Sequence, residues 1–228
     1  MSAELIKILS GGAMRPLMAE VVPPFERASG AKVEIEFRLT SVLRREIAEG
    51  LGFDIAILPR PELDELVEIA KIASGSAVDV ARSAVGLAVR AGAAKPDIGT
   101  VASFKRALRD ARSIAYSDGP SGAYIGALLQ QLGLAEEMKP KTKLTSRPVA
   151  ELLAEGEAEV GMQQIVAILP VRGAELVGPL PSELQNVLVY SAGISTAAQK
   201  PGTARSFIEF MRSPQAAPFI RAKGLEPG

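Results

Sequence analysis

"IKILSGGAMRPLM", residues 6–18, sets the reading of the whole chain. Ile6, Ile8 and Leu9 make a short apolar run of strand type, Ser10-Gly11-Gly12 breaks it, and a second apolar period opens at Met14. Met14, Leu17, Met18, Val21, Val22 and Phe25 recur at i, i+3, i+4, i+7, i+8 and i+11, one face of a helix. Pro23 and Pro24 fall inside that period, so a kink or a restarted turn is expected before Gly30 ends the helix.

The same alternation continues outward. Strand-like runs lie at 4–9, 32–38, 53–58, 84–90, 113–117, 141–145, 158–164, 174–178 and 185–194. Between them, Ser41 precedes Val42, Leu43 and Ile47 and Gly50 closes the segment, a short helix with signals at both ends. Further helices are expected at about 61–72, 101–111, 121–132, 148–155, 202–212 and 214–222. Strand, helix and strand in succession predict an α/β protein whose mainly parallel sheet is covered on both faces. The apolar face of the last long helix, Phe207, Ile208, Phe210 and Met211, is expected in the core.

Composition narrows the chemistry. A chain of 228 residues with 47% hydrophobic content buries a real core, as one large domain or two small ones. Lysine plus arginine and aspartate plus glutamate each total 26, so no global field draws the protein to nucleic acid or an anionic membrane. Cysteine and histidine are absent, which removes disulfides, thiolate chemistry, and the commonest metal ligand and general base. No metal and no cofactor is expected. No apolar run approaches the roughly 18 residues that span a bilayer, so no membrane insertion is expected. "MSAELIKILSGG" lacks the pattern of a signal peptide, so the chain as written is expected in the cytoplasm; a trimmed mature form would be periplasmic.

Glycine at a strand-to-helix corner lets the backbone approach a ligand, and the free N–H groups of the helix start favour an anion. "SGGAMRP" has neither the spacing of a dinucleotide fingerprint nor the ending of a P-loop, so a nucleotide phosphate is a poor fit. Two more corners share this character. Thr40 and Ser41 stand at a helix start near Arg38, and Ser117-Asp118-Gly119-Pro120-Ser121-Gly122 leads from a strand into a helix. In open α/β sheets such corners gather at the carboxyl ends of the strands, where ligands sit. Each feature has a plain alternative: Gly11-Gly12 as a tight turn, a lone Ser or Thr as an N-cap, Arg15 and Arg38 as solvated charges.

The order of these segments resembles the molybdate-binding branch of the type II solute-binding proteins of ABC transporters. The resemblance runs through "IKILSGGAMRPLMAEVVPPFERASGAKVEIEF", "TSVLRREIAEG", "FDIAILPRPELDELVE" and "ARSAVGLAVR". It continues through "SIAYSDGPSGAYIGALLQQLG", "VAELLAEGEAEVGMQQI", "GAELVGPLP" and "FIEFMRSPQAAPFIRAKG". It implies a type II periplasmic-binding-protein-like fold of two α/β lobes, 1–85 plus 190–228 and 86–189. The hinge strands would be "SAVGLAV" and "NVLVYSAG", and the ligand would be closed between the lobes. It places ligand contacts at four stretches: Ser10, Gly11, Gly12, Ala13 and Met14; Thr40 and Ser41; Ser117 to Gly122; and the strand end at Met162, Gln163 and Gln164.

Two positions depart from that branch: Ala13 stands where it offers a serine hydroxyl, and Gln164 where it offers a tyrosine. With two hydroxyl donors gone and Arg15 and Arg38 close by, a carboxylated organic acid is favoured over molybdate or tungstate, because an arginine fork suits a carboxylate. The first reading is therefore a protein that binds a small anionic solute, with an ABC transporter permease as partner if it is exported. The second is an enzyme. Proteins resembling this family include aconitate isomerases, which shift a double bond in a tricarboxylate by moving a proton. That reaction needs a positioned base; Asp118 and Tyr124 lie in the right loop, and neither is assigned a catalytic role.

Overall fold

The computed structural model describes residues 3–118 and 120–228. In chain order the elements are β1 (Leu5–Gly11), α1 (Arg15–Ser29), β2 (Lys32–Arg38), α2 (Thr40–Glu49), β3 (Ile55–Pro59), α3 (Arg60–Glu68), β4 (Val78–Arg90), α4 (Val101–Asp110), β5 (Ile114–Ser117) and α5 (Pro120–Gln131). There follow α6 (Ala135–Met138), β6 (Thr142–Thr145), α7 (Val149–Glu155), β7 (Val160–Gln164), α8 (Ile165–Ile168), β8 (Ala174–Pro179), β9 (Val187–Ile194), α9 (Pro201–Arg212), α10 (Ala217–Ala222) and β10 (Leu225–Pro227). The chain forms two compact units, Met1–Arg82 with Leu188–Gly228, and Ser83–Val187. It crosses from one to the other within β4 and again at the start of β9.

In the first unit β1 pairs in parallel with β2 and with β3, while β9 runs antiparallel to β3. Ile6, Ile8 and Leu9 of β1 are fully buried, as the alternating apolar run demands. Leu9, Ala56 and Leu58 pack on one sheet face against Leu43 and Ile47 of α2 and Leu63 and Leu66 of α3. Helix α1 buries Leu17, Met18, Val21 and Phe25 and ends on Gly30, whose φ of 72° is the left-handed cap that glycine takes without strain. It runs unbroken through Pro23 and Pro24, so no turn restarts there. The missing donors are outweighed by packing: the Phe25 and Phe207 rings meet edge to face at 5.0 Å, with Phe207 and Met211 fully buried.

In the second unit β5 pairs in parallel with β6 and β7, and β4 runs antiparallel to β7 and β8. The sheet is thus mixed in each unit: three parallel strands carry the β–α corners and the crossing strand opposes them. Phe104 and Leu108 of α4 and Ile125, Leu128 and Leu129 of α5 cover Leu87, Val89, Ile114 and Met162 on one face. Helix α7 covers the other with Val149, Leu152 and Leu153, so closely that a Cβ on Gly161 would meet the Val149 side chain at 2.5 Å. Sequence periodicity misses α6, α8 and β10, each of three or four residues and too short to show a period. Helix α3 stops at Glu68 rather than near 72, because Ile72 turns back to bridge Ser195.

Candidate functional site

Parallel pairing places Gly11 opposite Arg38 and Ser10 opposite both Phe37 and Ile57, so the first two β–α corners stand side by side at the carboxyl edge of the first sheet. After Gly11 the chain makes one 3-10 turn, Gly12 to Met14, and enters α1. Ser10 is fully buried and its hydroxyl donates to the Gly11 carbonyl at 3.3 Å. Met14 is fully buried too, so its side chain belongs to the core and only its backbone faces the corner. Gly12 and Ala13 are exposed. A Cβ on Gly11 would lie 3.2 Å from the Thr40 hydroxyl, which shows how closely the two corners approach. Helix α2 begins at Thr40 with Leu39 in the cap position, so Ser41 lies in the first turn and is not the cap. The leading amides of α2 therefore have no side-chain cap.

The two arginines differ. Arg38 is held by Glu36 at 2.6 Å and by Glu46, and those carboxylates raise its guanidinium above its ordinary value. Glu36 is itself held low by hydrogen bonds from Lys7 and Arg38. Arg15, the first residue of α1, is exposed, lies over the Phe37 ring at 4.2 Å, and makes no ion pair among the described residues. A ring satisfies the flat face of a guanidinium and leaves its N–H donors open.

In the second unit Ser117 ends β5 opposite Thr145, and Tyr116 pairs with Met162 of β7. The Ser117 and Ser121 hydroxyls are 3.2 Å apart. Gly122 sits against the Ser117 carbonyl so tightly that an added Cβ would overlap it at 1.5 Å, which makes glycine obligatory there. Asp118 is exposed and its amide donates to the Thr145 carbonyl at 3.0 Å. Gly119, inside the same loop, lies outside the described residues. Tyr124 is spent: its hydroxyl, pushed up by burial, donates to the Leu184 carbonyl at 2.6 Å. Gln163 is also engaged, its Oε1 accepting from the Val149 amide at the start of α7. Gln164 Oε1 is sealed from solvent without a partner.

Three residues at these edges escape sequence reasoning. Phe37 carries only the alternation of "KVEIEFR", which says core or surface but not what stacks on it. Tyr190 of β9 stands opposite Pro59 at the end of β3, buried to 4% exposure, its hydroxyl pushed up to about 12 by burial and then by the charge of Glu62. Asp79 links Ser191, at 2.8 Å, to Arg60, at 3.2 Å; burial would raise its carboxyl, but these bonds and the nearby Arg82 hold it below the usual range. Among the described residues no cluster of three acidic, histidine or cysteine side chains could hold a metal, and no helix is long and apolar enough to cross a membrane.

What the geometry offers is a set of neutral hydroxyls and helix-start amides on each unit, with the guanidinium of Arg15 on Phe37 and the buried Tyr190 on the first. The family model described as bacterial extracellular solute-binding protein matches residues 6–226. The aconitate isomerase of a Pseudomonas species is 32% identical over 229 residues, covering 97% of this chain and 87% of that protein. Among solved structures, the substrate-binding domain of a candidate molybdenum ABC transporter from Clostridium difficile superposes with a TM-score of 0.87 at 17% identity, covering 99% of this chain and 100% of that one. The periplasmic molybdate-binding protein of Azotobacter vinelandii gives 0.75 at 18% identity, with 98% and 99% covered. At such identities the two structures speak for the fold alone, whereas the family model and the isomerase span nearly the whole sequence. The chain belongs to the bacterial extracellular solute-binding protein family.

Proposed function

We propose that this chain captures a small carboxylated organic acid, and that its first contacts are the β–α corners at the carboxyl edge of the first unit's parallel strands. The observation that carries the reading is Arg15, a guanidinium fixed by an aromatic ring and claimed by no carboxylate among the described residues, at the start of the helix that follows the Gly11 corner. In the first unit Ser10 to Met14, Thr40 and Ser41 would supply amides and hydroxyls; in the second, Ser117, Ser121, Gly122 and Gln164 are a like set. Arg38, Tyr124 and the Gln163 carbonyl already have partners and are left out of the ligand set. Ala13, which has no hydroxyl to offer, weighs against a bare tetrahedral oxyanion. In an exported form the partner would be an ABC transporter permease.

A thermal-melt panel of molybdate, tungstate, sulfate, citrate, cis-aconitate, trans-aconitate and tricarballylate tests this. A ligand at a hundred times its Kd adds about 2.7 kcal/mol, which raises the melting point of a chain this long by about 5–10 °C. Stabilisation by carboxylates is expected; stabilisation by the oxyanions alone overturns the reading.

A second reading, isomerisation of a small polycarboxylate, is favoured by the 32% identity to an aconitate isomerase. Moving a proton on carbon needs an acid and a base. Tyr190, pushed up to about 12, holds its proton too tightly to suit the acid, so both roles would fall to carboxylates or lysines. An NMR time course with cis-aconitate at high protein concentration decides it: an unchanged spectrum removes the isomerase.

A further inference from the structure

We propose that Ser83 and Gln164 form a neutral subsite for a hydroxyl group of the bound acid, so that the ligand is a hydroxylated carboxylic acid. The proposal rests on the carboxylate reading above and narrows it. Ser83 lies in β4 and is fully buried, yet its Oγ has no hydrogen-bond partner; Gln164 Oε1 is in the same condition. Among the described residues these are the two side-chain atoms sealed from solvent without a partner. Buried polar groups are nearly always bonded, so each orphan asks for an explanation.

They are also neighbours. Strands β4 and β7 are antiparallel with Val85 opposite Gln164, and the two-residue alternation returns Ser83 to the face that Val85 and Gln164 share. Ser83 is therefore diagonal to Gln164 across the ladder, a separation of about 7–8 Å between backbones, within the reach of two side chains and one shared oxygen atom. Partners are plentiful nearby. Gln163 Oε1 is taken by Val149, and the Gln185 amide makes bonds to both backbone groups of Val85 and to the Leu180 carbonyl. The shortage is confined to this pair.

The chemistry selects what would fill the space. Gln164 Oε1 needs a donor, and the Ser83 hydroxyl can then donate to the same incoming oxygen. A hydroxyl satisfies both at once, whereas a carboxylate oxygen cannot donate and a methylene does neither. Gln164 is half-buried at the last residue of β7, the carboxyl end of a strand that runs parallel to β5, which ends in Ser117.

Matched acids that differ by one hydroxyl test the proposal: L-malate against succinate, and citrate against tricarballylate, by calorimetric titration of the full chain. In at least one pair the hydroxy acid is expected to bind about tenfold tighter or more, because the analogue leaves two buried polar groups unpaired. Ser83→Ala and Gln164→Met should each reduce that ratio to about twofold or less and melt no lower than the parent without ligand, since each removes an orphan, and Ser83→Ala should keep binding of the plain acid. Equal binding of both members by the parent chain, as when the pair holds only a water molecule, overturns the subsite and leaves the carboxylate reading intact. Variants that keep the parent ratio overturn it equally. Failure of all four acids to bind overturns the subsite, and overturns the carboxylate reading with it when cis- and trans-aconitate also fail.

Discussion

Arg15 is held by the face of Phe37 and not by a carboxylate, and that difference decides what it can do. An exposed cation–π contact contributes only about 0.5–1 kcal/mol, enough to orient the guanidinium without using its donors. Arg15→Ala should therefore weaken a bound carboxylate by more than about tenfold, the loss of a charge-assisted bond of roughly 1.5–3 kcal/mol, and lower the ligand-free melting point by only about 1–4 °C. Unchanged affinity in a titration would take Arg15 out of the site. Gly122 is a different kind of residue-scale constraint. Any side chain there would collide with the Ser117 backbone, so Gly122→Ala should cost about 2–4 kcal/mol in urea unfolding and pull the Ser117–Ser121 corner apart. In the sequence Arg15 and Arg38 look alike, each one or two residues from a corner. Only Glu36 and Glu46, the latter on the following helix, separate the committed arginine from the open one.

At the scale of elements, several helix starts lack a side-chain cap of their own. Helix α7 follows Pro148, which has no side-chain acceptor, and the missing cap comes from Gln163 on β7, 14 residues on. Gln163→Met should destabilise the second unit by about 1 kcal/mol, the worth of an N-cap, seen as a lower urea midpoint at unchanged slope. A change in ligand affinity with no change in stability would show that the side chain serves the ligand instead. The element pattern was legible because each strand and long helix buries a local apolar period: Ile6, Ile8 and Leu9, or Leu17, Met18, Val21 and Phe25. The N-terminus of α2 was misplaced by a residue or two, since Ser41 has the chemistry of a cap while the backbone turns at Leu39. The two prolines of α1 warned of a break that packing against Phe207 overrides.

Across the whole molecule, ionisation ties stability to pH through contacts far apart in sequence. Asp79 in β4 binds Ser191 in β9, 112 residues later, and Arg60 in α3. Its folded pKa lies below the unfolded value of about 3.9, so its contribution is full above that pH and fades as pH falls toward the lower folded value. Asp79→Asn should lower the melting point at neutral pH and flatten the fall between about pH 5 and pH 2; parallel curves for the two proteins would remove Asp79 from the account. The same dependence on distant partners divides what can be read at each level. Sequence by itself determined the α/β class, the order of elements, the family, and the glycine- and hydroxyl-rich corners, because apolar periodicity and turn chemistry act over a few residues. Tertiary structure alone decided which polar groups are spent and which are free. Tyr124 is used by a carbonyl 60 residues away, Gln163 by a helix start, Arg38 by two carboxylates, while Arg15, Ser83 and Gln164 keep donors or acceptors to offer. A hydrogen bond forms only within about 3.5 Å, and which groups come that close is set by strand register and helix packing, not by any neighbour in the chain.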